Sequence, residues 1–406
     1  MSNRTRFPEL DLLRFLAACA VMLFHYTYLG PRDHSCPASF HFLAQVFKYG
    51  YLGVDVFFIL SGFVILLTAY EKDAIAFTIA RMIRLYPAYW ICVTITAVSI
   101  VLTGTSHNPL TPFQYLANLT MVHGFFGIED ISGVYWTLAV ELQFYFLIFL
   151  VLAAGQVRRL SYFLGLWLLT SIILSLRPPH GIAHFLLFPE WSSYFIAGAM
   201  FFLIHREGPS RYKLFVVGAC YVLSVAYAIK LFPLGAGGLE TSYSAPVITC
   251  FLAAAYGIFL IIAVRPRDSS GSNPFYILGL MTYPLYLLHQ DLGFILLRSA
   301  PASFNHALLL VTIIAVMIGL SWAVHIGPEK WLASQLQSLL VPPKNFAASI
   351  KALFSERFAG SSLKSPIPAP VVPTAIPATV SAVRPSPQQV HPSAAHSQLT
   401  TNTETV

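Results

Sequence analysis

Charged residues are scarce in this sequence. Only 10% of its 406 residues are Asp, Glu, Lys or Arg, and 56% are hydrophobic, whereas soluble domains carry about 25% charged residues. The basic residues are spread over short loops and form no dense patch of the kind that binds nucleic acid. The five cysteines form no CxxC pair and no disulfide framework. We therefore expect a polytopic membrane protein that has the lipid bilayer, and no nucleic acid, among its partners.

A metal site is also not indicated. His34, Cys36 and His41 lie close together in one loop, but no second pair of ligands follows them. We therefore expect no bound metal.

Hydrophobic runs long enough to cross a bilayer are abundant. Such a run needs about 20 apolar residues, and the sequence offers roughly ten of them. They lie at 10–29, 49–70, 85–103, 135–154, 160–176, 190–205, 213–231, 244–264, 276–298 and 306–327. The sequence thus predicts an all-α fold, a membrane helical bundle of about ten transmembrane helices.

Lys and Arg in the connections predict the orientation of the bundle. With the N-terminus inside, 18 basic residues fall on the inner side and five on the outer side. Because cytoplasmic loops carry the excess of Lys and Arg, we expect both termini to be cytoplasmic.

Three regions are predicted along the chain. Residues 1–328 form the transmembrane domain, and 329–358 form a juxtamembrane segment with amphipathic helices on the inner surface. From residue 359 to 406 the chain has eight prolines and no Phe, Trp or Tyr, which is typical of a disordered tail.

Ionisable groups inside the predicted spans are the main functional signal. Arg14 and His25 share one face of the first helix, about 16 Å apart along its axis. Asp55 and Glu141 enter the second and fourth spans from the outer side, and we place them at the same depth as His25. Charged groups at membrane depth are costly and face a cavity, a pathway or a partner.

A further pair of arginines lies at the inner surface. Arg81 and Arg84 are three residues apart, on one face of a helix. Two guanidinium groups in this arrangement can hold a phosphate through paired hydrogen bonds.

These motifs resemble those of the acyltransferase-3 family of membrane acyltransferases. The resemblance covers residues 7–327 and rests on five segments in the family's order. They are Asp11-Leu-Leu-Arg14 with His25, Gly53 to Phe63, Arg84 to Trp90, Tyr135 to Glu141, and Tyr283 to His289.

The resemblance implies transfer of an acyl group, often acetyl, from acyl-CoA to a hydroxyl group. The acceptors are usually glycans or glycolipids and less often macrolide-type molecules. It also implies that His25 is the catalytic base and that Arg14 and Arg84 serve the acyl-CoA, which is a co-substrate and not a permanently bound cofactor. We expect the protein in the bacterial plasma membrane.

The remaining site assignments complete this hypothesis. Glu141 or Asp55 would hold the His25 imidazole in its tautomer. Arg81, Ser61 and Gly62 would join Arg14 and Arg84 at the acyl-CoA. The expected acceptor pocket consists of Trp136, Tyr145, Tyr283 and His289.

Three alternatives remain open at this point. One is an acyl-CoA-binding receptor without turnover, in which His25 would be dispensable. A covalent acyl-Ser61 intermediate is compatible with the residues, but the sequence has no GxSxG nucleophile elbow. A proton-coupled transporter would also align Arg, His, Asp and Glu inside its spans.

Overall fold

The computed structural model describes residues 7–32, 40–105, 109–178, 181–235, 243–265, 273–301 and 303–341. Ten long helices run through these residues. They are α1 (Pro8–Phe24), α2 (Gly53–Ala69), α3 (Ala74–Thr103), α4 (Trp136–Ala153), α5 (Leu160–Ser175), α6 (Pro189–Glu207), α7 (Arg211–Gly235), α8 (Ala245–Val264), α9 (Tyr276–Ser299) and α10 (His306–Val324).

Shorter elements connect or extend these helices. Five are α-helical: Gly30–Arg32, His41–Phe47, Pro112–Asn118, Ile182–Leu187 and Lys330–Leu340. Three are 3₁₀ turns, at Gly50–Leu52, His123–Phe126 and Val157–Arg159, and two are π-helical turns, at His25–Leu29 and His325–Glu329. No strand occurs in the described ranges.

The all-helical membrane fold class is confirmed. Within the described residues, nine helical segments have the length and apolar composition needed to cross a membrane. The ninth predicted span, 276–298, forms the 24-residue helix α9. That helix is not among the nine, because His289, Gln290 and Asp291 lower its hydropathy. The cytoplasmic placement of both termini remains a prediction.

Helices α2 and α6 approach each other through glycines. A Cβ on Gly62 would collide with the carbonyl oxygen of Phe195, and one on Gly198 with that of Ile59. Small residues allow this close backbone contact between membrane helices. Gly62 therefore packs against α6 and does not line either cavity described below. Its assignment to acyl-CoA remains a prediction.

Helix α1 packs against α2 and α9. The Tyr26 hydroxyl, just beyond the end of α1, donates to the carbonyl oxygen of His289 at 2.6 Å. A Cβ at Gly293 would meet the Tyr26 ring, so this glycine lets α1 and α9 lie close together at the level of His25.

The long connection between α3 and α4 is folded onto α3. Three aromatic side chains of α3 donate hydrogen bonds to carbonyl groups at the C-terminal end of helix Pro112–Asn118. Tyr89 donates to Asn118 at 2.8 Å, Trp90 to Leu119 at 2.9 Å and Tyr86 to Thr120 at 2.9 Å. These donors satisfy carbonyl groups that a helix end leaves without intrahelical partners.

The chain beyond α10 continues through the π turn into helix Lys330–Leu340. One face of this helix is apolar, and Trp331 and Leu339 are exposed. The rest of the predicted juxtamembrane segment, from residue 342, and the predicted disordered tail lie outside the described residues.

Candidate active site

A cavity of about 280 Å³ lies between α1, α2, α3, α4 and α9. We call it the arginine cavity, because three arginines line it. Its polar lining residues are Arg14, Ser61, Thr68, Arg81, Arg84, Thr137, Glu141, Tyr145, Thr282, Tyr283 and Tyr286. Four of the five residues predicted to bind acyl-CoA, all except Gly62, thus line one cavity, although they lie on three different helices.

Glu141 lies in this arginine cavity. Its Oε1 atom accepts hydrogen bonds from the Ser61 hydroxyl at 2.7 Å and from the Tyr145 hydroxyl at 2.6 Å. The Ser61–Glu141 contact ties α2 to α4. A carboxylate among guanidinium groups lowers the cost of burying charge.

Two of the arginines have a carboxylate partner. Arg14 lies 3.6 Å from Asp11, one turn earlier on α1. Arg84 Nη1 lies 3.1 Å from Oε1 of Glu329, whose Oε2 lies 2.9 Å from His325 Nδ1. Sequence reasoning missed Glu329 and His325. The only signal was a His and a Glu four residues apart after the last span.

Within the described part of the chain, two buried donors in the arginine cavity wall have no hydrogen-bond partner. They are Nε of Arg81 and the hydroxyl of Tyr283. A buried donor without a partner costs free energy. An anionic ligand in the cavity would supply the missing acceptors.

A second cavity, of about 720 Å³, contains His25, and we call it the histidine cavity. Its polar lining groups include His25, Asp55, Glu190 and Gln290. Aromatic side chains form much of its wall: Phe24, Tyr28, Tyr51, Trp136, Trp191, Tyr194, Tyr227 and Tyr286. Glu190 pairs with His184, and Asp55 is buried beside Tyr51 and Tyr194.

No carboxylate holds the His25 imidazole among the hydrogen bonds of the described residues. Its Nδ1 lies 2.8 Å from the carbonyl oxygen of Val21 and 3.2 Å from Nε2 of His289. Asp55 shares the cavity with His25, but Glu141 lines the arginine cavity. Of the three ionisable groups that we predicted to lie together, His25 and Asp55 share a cavity and Glu141 lies in the other. Glu141 is separated from them because it lies five residues, or about 7.5 Å of helix, beyond Trp136.

The two cavities adjoin. Val54 and Tyr286 line both of them. The Tyr286 hydroxyl lies 3.0 Å from Oγ1 of Thr137 and 3.4 Å from the carbonyl oxygen of Val134, which fixes the ring against α4. A flexible molecule that crosses from one cavity to the other therefore passes Tyr286.

The predicted acceptor pocket is divided by the structure. Trp136 lines the histidine cavity, whereas Tyr145 and Tyr283 line the arginine cavity. His289 lines neither cavity and is buried behind His25. Their positions on α4 and α9 explain the division, since each helix passes along both cavities.

The fold and the two cavities define a multi-pass helical membrane protein with adjoining polar chambers inside its bundle. Comparison with known families specifies this class further. Residues 7–326 match the family model described as an acyltransferase domain. The chain belongs to the acyltransferase-3 family.

Three relatives illustrate this membership. Nodulation protein 10 of Rhizobium leguminosarum bv. viciae is 32% identical over 160 residues, which cover 33% of this chain and 41% of the relative. Peptidoglycan O-acetyltransferase OatA of Listeria monocytogenes is 29% identical over 195 residues, 42% of this chain and 29% of the relative. O-acetyltransferase OatA of Staphylococcus aureus is 29% identical over 164 residues, 36% of this chain and 24% of the relative.

The chain spans less than half the length of each of these relatives. No solved structure matches the chain.

Proposed function

We propose that the protein transfers an acyl group, acetyl in particular, from acyl-CoA to a hydroxyl group of a glycan or glycolipid. The observation that carries the proposal is the pair of adjoining cavities. One is lined by three arginines and the other contains His25, and they share Val54 and Tyr286. Family membership and the O-acetyltransferase relatives support the reaction class.

The arginine cavity is suited to the donor. CoA carries several phosphate charges, and guanidinium groups bind phosphate through paired, charge-assisted hydrogen bonds. Arg14, Arg81 and Arg84 would hold this anionic part, and the unpartnered Nε of Arg81 offers one donor that is already buried. The pantetheine arm would then bring the thioester to Tyr286. The excess of basic residues on the predicted inner side is consistent with a cytoplasmic donor and a plasma-membrane location.

The histidine cavity is suited to the acceptor. Its aromatic walls offer flat surfaces for sugar rings, and Asp55, Glu190 and Gln290 offer hydrogen-bond partners for their hydroxyls. His25 would take the proton of one hydroxyl as its oxygen attacks the thioester carbonyl carbon. The CoA thiolate leaves, and the proton passes from His25 to its sulfur.

The developing oxyanion needs a donor near the shared wall. The Tyr286 hydroxyl and the Trp136 indole are the groups we assign to it, because both line the histidine cavity and Tyr286 also lines the arginine cavity. Donors aimed at the developing charge contribute strongly to acyl transfer.

A transfer assay tests the proposal. The purified full-length chain, reconstituted in lipid, is given radiolabelled acetyl-CoA with peptidoglycan fragments, lipopolysaccharide, a lipid-linked oligosaccharide or a macrolide. We expect His25→Ala to lower transfer by about 10²-fold or more, since general-base catalysis contributes 10²–10⁴-fold. Binding of CoA should be unchanged.

The matched control is His306→Ala. His306 is exposed at the start of α10, against Phe40 and away from both cavities. Wild-type transfer by His25→Ala would refute the base assignment. Transfer to the macrolide alone would refute the proposal that the acceptor is a glycan or glycolipid. Proton-coupled uptake without acyl transfer would refute the proposed acyltransferase activity.

A further inference from the structure

His289 touches the imidazole that the proposed reaction depends on. Its Nε2 lies 3.2 Å from Nδ1 of His25, and the two ring centroids are 4.9 Å apart. His289 is 1% exposed and lines neither cavity. It therefore cannot meet substrate directly, and any role in the reaction acts through His25.

Backbone carbonyl groups fix the tautomer of both rings. His25 Nδ1 lies 2.8 Å from the carbonyl oxygen of Val21, and His289 Nδ1 lies 2.8 Å from that of Tyr286. A carbonyl oxygen only accepts hydrogen bonds, so each Nδ1 carries the proton. In the neutral rings each Nε2 then carries a lone pair.

With these tautomers, His25 is the donor and His289 the acceptor of the hydrogen bond between the two rings. The His25 Nδ1–H is shared between the Val21 carbonyl oxygen and the His289 Nε2 lone pair. A proton on His289 Nε2 would instead face the Nδ1–H of His25, which is unfavourable. The arrangement leaves the second nitrogen of His25, Nε2, with the free lone pair that a base requires.

We propose that His289 is the positioning residue of His25, an inference that rests on the proposed function. Together with the Val21 carbonyl group, the neutral His289 ring holds His25 as its Nδ1–H tautomer, and it directs Nε2 to the reacting hydroxyl. In acyl transferases and hydrolases built on a His–carboxylate pair, a carboxylate performs this task. Here an imidazole supplies the acceptor, and no additional charge is buried next to His25 while it is neutral.

The same contact stabilises the charged intermediate state of His25. When Nε2 takes the hydroxyl proton, the imidazolium charge strengthens the hydrogen bond from Nδ1–H to His289 Nε2. The proton on His25 Nε2 then moves to the CoA thiolate. Free CoA leaves, the ester has formed, and both histidines are neutral again.

The surrounding helices keep the two rings at this distance. The Tyr26 hydroxyl, one residue after His25, donates to the carbonyl oxygen of His289 at 2.6 Å. Gly293, one turn further along α9, leaves room for the Tyr26 ring. The α1–α9 contact thus sets the His25–His289 geometry independently of the histidine side chains.

Two variants of similar size separate the effect of the His289 hydrogen bond on kcat from the effect of its packing. His289→Gln keeps an acceptor oxygen near the position of Nε2, whereas His289→Met fills a similar volume without a comparable acceptor. With acetyl-CoA and the acceptor that the wild-type chain uses best, we expect kcat of the Met variant to fall at least about tenfold. The Gln variant should retain most of the wild-type kcat, and KM for acetyl-CoA should be unchanged in both.

Equal kcat values for the Gln and Met variants would overturn the inference, whether both are normal or both impaired. A second measurement is made on the wild-type chain and does not depend on the His289 variants. Solid-state NMR of isotope-labelled imidazole nitrogens, assigned by difference from His25→Ala, should show His25 protonated at Nδ1. A proton at Nε2 in its place would also overturn the inference. Absence of transfer by the wild-type chain would instead refute the proposed function itself.

Discussion

At the scale of single residues, two of the three arginines that we propose to bind the anionic donor are already held in place. Asp11 and Glu329 hold the guanidinium groups of Arg14 and Arg84. Arg81 differs, because its buried Nε atom has no hydrogen-bond partner among the described residues. Fixed guanidinium groups lose little side-chain entropy when a phosphate arrives, which favours binding.

The geometry predicts that Arg81 cannot be replaced by lysine. Lysine keeps the charge but lacks the planar set of donors that holds a phosphate bidentately. A hydrogen bond to a charged group contributes about 1.5–3 kcal/mol. We therefore expect Arg81→Lys to weaken CoA binding by at least about tenfold in a calorimetric titration.

The matched control for this prediction is Arg211→Lys, at the exposed start of α7 and outside both cavities. It should bind CoA as the wild-type chain does. Equal dissociation constants for the two variants would show that Arg81 does not contact the donor.

At the scale of helices, the close packing of α2 against α6 depends on Gly62 and Gly198. Each glycine faces a backbone carbonyl group of the opposite helix, so α2 and α6 cannot separate without losing this contact. Helix α2 carries Val54, Asp55 and Ser61, which line the two cavities. The position of these side chains therefore depends on the α2–α6 contact.

We predict that Gly198→Ala destabilises the protein. The added Cβ would overlap the carbonyl oxygen of Ile59, a backbone atom that cannot move alone. Overpacking of this kind costs about 1–3 kcal/mol. Thermal unfolding of the detergent-solubilised chain should show a melting temperature several degrees lower.

Gly257→Ala is the matched control for this change, because a Cβ at Gly257 on α8 would meet no other described part of the chain within 4 Å, apart from the adjacent backbone of its own helix. It should not lower the melting temperature. An unchanged melting temperature for Gly198→Ala would contradict the packing described here.

The sequence predicted the helices better than the contacts between them. Hydrophobic length identified each long helix, but the predicted start of the third span at residue 85 lies well after the observed start of α3 at Ala74. The Asp73 side chain accepts a hydrogen bond from the Ala76 amide at 2.7 Å and caps this earlier start. Arg81 and Arg84 consequently lie within a helix and reach the arginine cavity.

Contacts across helices could not be read from one sequence. The shared face of Arg14 and His25 follows from helical periodicity. The depth of Glu141 relative to His25 depends on how α4 is shifted along α1, which no local pattern specifies. The same reason explains why the His25–His289 contact, between residues 264 positions apart, was not predicted.

At the scale of the whole membrane domain, the proposed reaction keeps donor and acceptor in different cavities. Arg14 and His25 are about 16 Å apart along one helix, and each lines its own cavity. Val54 and Tyr286 form the common wall. The reaction we propose takes place at this wall, where a donor and an acceptor that enter by different cavities would meet.

A density map of the chain with a non-hydrolysable acetyl-CoA analogue tests this claim most directly. In this analogue a methylene group replaces the thioester sulfur. We predict that its phosphates bind at Arg14, Arg81 and Arg84 and that its acetyl carbonyl lies between Val54 and Tyr286, facing the His25 cavity. Phosphates bound away from the three arginines, or an acetyl group directed away from Tyr286, would contradict the account.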